Sequence, residues 1–341
     1  MLIGLNGKND SFVMVNNTRG IPKAIEPLVN NILVDGLVGS GKTSLCIEPT
    51  ILNTDKSLLY VGVYADELYY GTEKRLNNKG IDSVLLDFAQ GDFHINVIDL
   101  MEMYVGVDPC SNGDCLIGEF ADIFIKHYEG YIRSDDRAYI KGLFLKYLDN
   151  VFKILYFSGN KKEASQALAS ILDKIPNDSL RSCLQKDLGL LMSKNHSEVE
   201  FSKNIFLNKK FAIFIKPLVF INSDNDKFAK LMSELTFVTM VYISKTLDKT
   251  GILYILDECQ DLGYFSKELL RYKSLDCSIY TFQDFNNQAA GLRLREQINL
   301  DSFFQVNVEY PSDRSGVIVE YDLSGADLEK TGDVTWKKVI Y

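Results

Sequence analysis

Gly36-Leu37-Val38-Gly39-Ser40-Gly41-Lys42-Thr43 sets a lysine and a hydroxyl residue directly behind closely spaced glycines and fits the pattern G-x4-G-K-[ST] throughout. Glycines at these positions let the backbone curl so that its N–H groups converge, and an anionic polyphosphate then meets a nest of donors at a helix N-terminus. The expected ligand is ATP with Mg2+. The candidate nucleotide contacts are Gly36, Val38, Gly39, Ser40, Gly41, Lys42, Thr43 and Ser44. Lys42 is expected to reach the β- and γ-phosphates and Thr43 to offer its hydroxyl to the metal. Ser44-Leu45-Cys46-Ile47 should continue the first helical turns as far as Pro49, which helix interiors rarely tolerate. A second set of reactive groups lies far downstream. The apolar run Ile252–Leu256 ends in Asp257-Glu258, with Asp257 suited to hold Mg2+ and Glu258 to orient the water that attacks the γ-phosphate. Gln283, at the end of the run Ser278–Phe282, could sense the γ-phosphate through its amide; Lys42, Glu258 and Gln283 are the catalytic candidates.

Such groups need a scaffold that brings distant segments to one edge. Asn31–Val34, Leu58–Val63 and Val84–Phe88 read as strands separated by helical stretches, the pattern of an α/β fold with a mainly parallel sheet. From about Leu116 to Asn195 the periodicity is helical, with Tyr139, Leu143, Tyr147, Val151 and Leu155 at steps of four. Strands return at Phe211–Ile215, Ile252–Leu256, Ser278–Phe282 and Phe304–Val308, with a helix over Lys227–Lys245 among them and a last edge strand at Val317–Tyr321. The expected organisation is a nucleotide-binding domain in two parts, residues 1–113 and 205–341, interrupted by an all-α domain at 114–204.

The 341 residues, 46% of them hydrophobic, are ample for a sizeable core. No apolar run reaches the 18 to 20 or so residues of a membrane span, even at Leu235–Ile243, and the start of the chain does not read as a signal peptide. A cytoplasmic location is the expectation. The net charge of -9 argues against a general nucleic-acid coat, although a ring-shaped motor can confine its basic contacts to pore loops. The six cysteines are scattered, and Cys110-x4-Cys115, the only close pair, lacks the second ligand pair of a zinc site. His94, His127 and His196 are isolated and suggest no metal triad.

Taken together, these residues resemble the TraG-type coupling ATPases of conjugation and type IV secretion, RecA-like P-loop motors related to the FtsK and HerA DNA translocases. The resemblance rests on Gly36–Thr43 with Ile47-Glu48-Pro49-Thr50-Ile51-Leu52, then Asp66-Glu67-Leu68-Tyr69, Arg75-Leu76, Lys79-Gly80 and Val84–Asp87, then Phe93–Leu100. It closes on Asp257-Glu258-Cys259-Gln260-Asp261-Leu262-Gly263 and Gln283-Asp284. Tyr64-Ala65 stands where the family has aspartate-proline-lysine, and Lys273-Ser274-Leu275-Asp276 where it has an arginine-glycine pair, leaving Arg271, Arg293, Arg295 and Arg314 as arginine-finger candidates.

The resemblance implies an ATPase that assembles as a homo-hexamer. It would recruit or pump DNA, or a relaxase-type protein–DNA substrate, towards the membrane components of a type IV secretion channel, held at the inner face of the membrane through those partners, with the helical insert as the family's substrate-engaging domain. A HerA- or FtsK-like DNA translocase outside conjugation shares the same site chemistry. The two departures also fit a substrate-recruiting platform whose ATPase is weak or lost.

Overall fold

Runs of β-branched and aromatic residues with no polar interruption can be buried on both faces only in a parallel sheet covered by helices, and the chain builds such a sheet. The computed structural model describes residues 2–4, 12–16, 22–24, 31–54, 56–88, 95–107, 114–191, 210–217, 224–246, 252–258, 278–283, 303–309, 318–323 and 339–340. They divide into two compact units, one of residues 1–85, 210–216 and 250–341, the other of residues 86–209 and 217–249. No described helix is long and apolar enough to cross a membrane.

The first unit opens with three short strands, β1 (Leu2–Gly4), β2 (Phe12–Asn16) and β3 (Pro22–Ala24), which pair with one another. The main sheet uses β4 (Asn31–Asp35), β5 (Ser57–Val61), β6 (Ile81–Asp87), β7 (Lys210–Lys216), β8 (Ile252–Leu256), β9 (Ser278–Phe282), β10 (Phe303–Glu309), β11 (Ile318–Leu323) and β12 (Val339–Ile340). Among the described residues its order is β12-β11-β10-β4-β9-β8-β5-β7-β6. From β10 through β4, β9, β8 and β5 to β7 the neighbours are parallel, whereas β11 and β12 add an antiparallel margin beyond β10. The strand expected at Val317–Tyr321 is thus β11, covered on its outer side by β12.

Helix α1 (Glu48–Asn53) follows a π-helical turn over Thr43–Ile47. The helix passes through Pro49 instead of ending there. Proline supplies no N–H to the ladder, and the wider turn before it closes on Glu48, whose N–H donates to the Thr43 carbonyl, so the missing donor falls where the i→i−4 pattern has already given way. Helix α2 (Ala65–Asn78) buries Ala65, Leu68, Thr72 and Leu76, one stripe at helical spacing, and packs with Ile32, Val34, Tyr60 and Ile255 in the sheet core.

The second unit is helical: α3 (Val97–Val107), α4 (Asp114–His127), α5 (Arg137–Ser158), α6 (Lys161–Ala169), α7 (Asp178–Leu191) and α8 (Asp224–Thr246). Helix α8 packs on α3 and α4 and is buried almost without interruption from Phe228 to Val241. The helix expected around Tyr139–Leu155 forms, but its inward face is Ile140, Phe144, Leu148, Val151, Phe152 and Leu155, while Tyr139 is 53% exposed. A strict step of four drifts around a helix with 3.6 residues per turn, so a stripe read that way meets the core only at Val151 and Leu155. Phe144 stacks on Phe124 of α4 at 4.9 Å and 3°.

Phe144→Ala should therefore lower stability by about 3 to 5 kcal/mol through the cavity it leaves, and Tyr139→Ala by less than about 1 kcal/mol, as measured by urea unfolding.

Candidate functional site

The C-terminal edge of a parallel sheet exposes the ends of several strands together, and the predicted site residues of both halves of the sequence meet there. Strand β4 ends in the glycine loop, β8 in Asp257-Glu258, and β9, lying between them in the sheet, in Gln283. Gly39 and Gly41 have φ of +74° and +90°, in the left-handed region that glycine enters without steric cost. Leu37 and Val38 point outward, 68% and 75% exposed, so Val38 can offer a ligand only its backbone.

Lys42 is buried, and its ammonium donates to the carbonyls of Gly36 (2.8 Å) and Leu37 (3.3 Å), with the Glu258 carboxylate at 3.7 Å. Thr43 donates its hydroxyl to Asp257 Oδ2 at 3.4 Å. Ser44, exposed, donates to the Gly41 carbonyl at 3.3 Å. Ser40 is buried, yet its Oγ has no hydrogen-bond partner, an orphan hydroxyl inside the loop. Buried hydroxyls are normally satisfied, so this one marks a place made for a further polar group.

Asp257 has no solvent exposure. Its backbone N–H donates to the Val61 carbonyl (2.9 Å), Tyr60 donates its phenol to Oδ2 (2.8 Å), and Thr281 donates its hydroxyl to Oδ1. Glu258 has φ +58°, and its N–H donates to Thr281 Oγ1 at 2.7 Å. The Gln283 amide donates to Glu258 Oε2. Thus Lys42, Thr43, Asp257, Glu258 and Gln283 form one connected cluster.

Three members of this site were not among the sequence candidates. Tyr60 and Thr281 lie inside apolar strands, and their signals are local: Tyr60 carries a hydroxyl in the strand beside β8, and Thr281 shares the face of Gln283 by the two-residue period of a strand. The third is Gly62, where a Cβ would lie 2.5 Å from the Tyr60 hydroxyl and 2.9 Å from Asp257 Cβ. Only a residue without a side chain fits there.

Other sequence candidates behave as structure. Asp66 pairs with Lys216 at 2.5 Å; partial burial pushes its carboxyl up, but Lys216 prevails and holds it below the usual range. Tyr69 packs edge-on against Phe214. His127 lies 3.6 Å from Asp187, away from any metal-ligating cluster among the described residues. Cys46 is buried, which pushes its thiol up to about 12 and makes it unreactive. Cys110, His94, His196, Phe93, Cys259–Gly263, Asp284, Arg271, Arg293, Arg295 and Arg314 lie outside the described residues.

No protein-family model matches the chain, and no curated protein matches it in sequence.

Burial, reinforced by the Asp257 carboxylate, pushes the Tyr60 phenol well above its ordinary value of 10.0. The unfolded chain loses that proton from about pH 10 while the folded chain keeps it, so the contribution is complete below pH 10 and is lost as pH rises towards the folded value. Unfolding midpoints followed from about pH 8 to about pH 11 should fall at the alkaline end, and less steeply in Tyr60→Phe.

Proposed function

We propose that the chain is a RecA-like P-loop ATPase that couples hydrolysis to recruiting or pumping DNA, or a protein–DNA substrate, towards a conjugative type IV secretion channel. The observation that carries the enzymatic part is the convergence of a glycine loop, Lys42, Thr43 and the Asp257-Glu258-Gln283 cluster at one sheet edge, with the Ser40 hydroxyl unsatisfied inside the loop. The donor set fits the nucleotide: an ammonium and loop N–H groups for phosphate oxygens, a hydroxyl and a carboxylate for a hard divalent cation. The transport part rests on the resemblance of the sequence blocks to coupling proteins.

In this reading the loop from Gly36 to Ser44 holds the phosphates, and Thr43 with Asp257 holds Mg2+. The metal, when bound, neutralises charge on the β- and γ-phosphate oxygens. Lys42 exchanges its contacts with the Gly36 and Leu37 carbonyls for the γ-phosphate, which carries more negative charge than a carbonyl dipole. Glu258 holds the attacking water by accepting its hydrogen bond at a carboxylate oxygen and draws off the proton as the water adds. Gln283, already donating to Glu258, would sense the γ-phosphate through its amide. Substrate passage and ring assembly would supply the mechanical output.

ATP binding and hydrolysis by the purified chain, with and without single- and double-stranded DNA, test this reading. Lys42→Ala should weaken ATP binding by about 100-fold or more, whereas Glu258→Gln should retain binding and lower kcat by about 100- to 10,000-fold. DNA-stimulated turnover that disappears in Glu258→Gln supports the motor. Unchanged turnover in Lys42→Ala overturns the site, and ATP binding without turnover under every condition replaces the motor with a substrate-recruiting platform.

A further inference from the structure

Two hydroxyls outside the glycine loop and the acidic pair decide where that pair stands. Thr281 Oγ1 sits between Asp257 and Glu258, accepting the N–H of Glu258 at 2.7 Å and giving its own proton to Asp257 Oδ1. A hydroxyl has one proton, so this assignment of donor and acceptor is complete: Thr281 can serve both neighbours only in this sense. The contact matters because Glu258 is the one non-glycine residue of positive φ among the described residues. That conformation disfavours a residue with a side chain and persists only where surrounding contacts over-determine it. Here it turns the Glu258 carboxylate back to Lys42 Nζ (3.7 Å) and to the Gln283 amide.

Tyr60 acts on the other oxygen. Strand β5 runs parallel to β8 with Tyr60 opposite Ile255 and Val61 opposite Leu256, and the Tyr60 phenol reaches Asp257 Oδ2 at 2.8 Å. Oδ2 is the oxygen that also receives the Thr43 hydroxyl, at 3.4 Å. With Thr281 on Oδ1 and Tyr60 on Oδ2, both ends of the carboxylate are tethered by neighbouring strands, and its plane cannot turn without breaking one of these bonds. Gly62 completes the arrangement, because a Cβ there would displace the Tyr60 hydroxyl or Asp257 itself.

We infer that Thr281 and Tyr60 are positioning residues: Thr281 locks the Asp257–Glu258 turn in its left-handed form, and both fix the Asp257 carboxylate for the cation shared with Thr43. The inference rests on the nucleotide-site reading above. It assigns to strands β5 and β9 the task of presenting the metal-binding oxygen, separately from the loop that grips phosphates. Phosphate affinity and metal dependence are therefore separable by mutation. Removing either hydroxyl leaves the loop N–H groups and the bonds of Lys42 to the Gly36 and Leu37 carbonyls as they are, and loosens the acidic side.

The measurement is binding of a fluorescent, slowly hydrolysed ATP analogue, in EDTA and across a Mg2+ titration, for the wild-type chain and for Tyr60→Phe, Thr281→Val and Thr281→Ser. All four should bind in EDTA within about twofold of one another. Tyr60→Phe and Thr281→Val should require about tenfold more Mg2+ to reach half-maximal enhancement, the size expected for a lost hydrogen bond to a charged group. Thr281→Ser, which keeps the hydroxyl, should stay within about threefold of the wild type, and in steady-state assays Thr281→Val should lose kcat with little change in KM for ATP. Wild-type Mg2+ dependence in both Tyr60→Phe and Thr281→Val overturns the positioning roles while leaving the nucleotide site standing. A wild-type chain that binds no nucleotide with or without Mg2+ overturns the site reading and the positioning roles with it. Should Thr281→Val fail to fold, Tyr60→Phe, which deletes a single oxygen atom, decides by the same titration.

Discussion

A carboxylate removed from water is tolerated only if its charge is met by donors on several sides, and Asp257 imposes that requirement on everything around it. Its donors come from three separate segments: Thr43 at the head of the first helix, Tyr60 on β5 and Thr281 on β9. The two strands, β5 and β9, are fixed in turn by parallel pairing to β8, so the sheet register and the carboxylate's partners determine one another. A slip of one residue in β5 would send Tyr60 to the opposite face and leave a buried charge short of a donor. Polar satisfaction at this point thus enforces the register that apolar strands alone specify weakly.

The helical unit meets the same problem in a similar way. Asp187 of α7 is buried and accepts the phenol of Tyr128 at 2.9 Å, with His127 at 3.6 Å and the Cys183 thiol at 4.0 Å. Burial, with Asp187 adding to it, pushes the Tyr128 phenol upward just as burial and Asp257 do for Tyr60. Tyrosine suits both places because its ring packs as a core residue while the hydroxyl reaches a charge that a shorter side chain could not. At Asp187 the remaining neighbours are a thiol and an imidazole; at Asp257 they are the hydroxyls of Thr43 and Thr281. The same device holds a core together in one unit and ties three segments of the candidate site together in the other.

Much of this was legible in the residues themselves. Continuous apolar runs such as Ile252–Leu256 are too short for buried helices and end in polar groups, so the strand and its polar end could be read together. Glycine spacing disclosed the loop, because left-handed φ at Gly39 and Gly41 leaves a mark in residue type. Glu258 left no such mark, since its left-handed turn is held by a tertiary bond to Thr281 and glutamate carries no local preference for it. The partners of Asp257 were hidden for the same reason: which hydroxyl faces it depends on strand order. The phase of α5 was lost because Tyr139, Leu143 and Tyr147 are apolar enough to join a stripe, while Ile140, Phe144 and Leu148 form the better-buried one beside it. Pairing among β1, β2 and β3 involves segments too short to carry a periodic signal.

The place of β4 in the sheet bears on how the chain is made. Both of its neighbours, β9 and β10, belong to the last quarter of the sequence, so the strand leading into the glycine loop has no partner on either edge until Ser278–Phe282 and Phe303–Glu309 have left the ribosome. Ile32, Leu33 and Val34 remain without their strand partners throughout that interval, and an unpaired apolar strand is a ready template for association with other chains. Helices α3 to α7 leave the ribosome well before then and contact one another mainly as near neighbours in the chain, and such contacts form quickly. Synthesis therefore runs through a stage in which these helices can form while β4 waits for its partners, and a chain that stops short of β9 or β10 keeps that strand open to association.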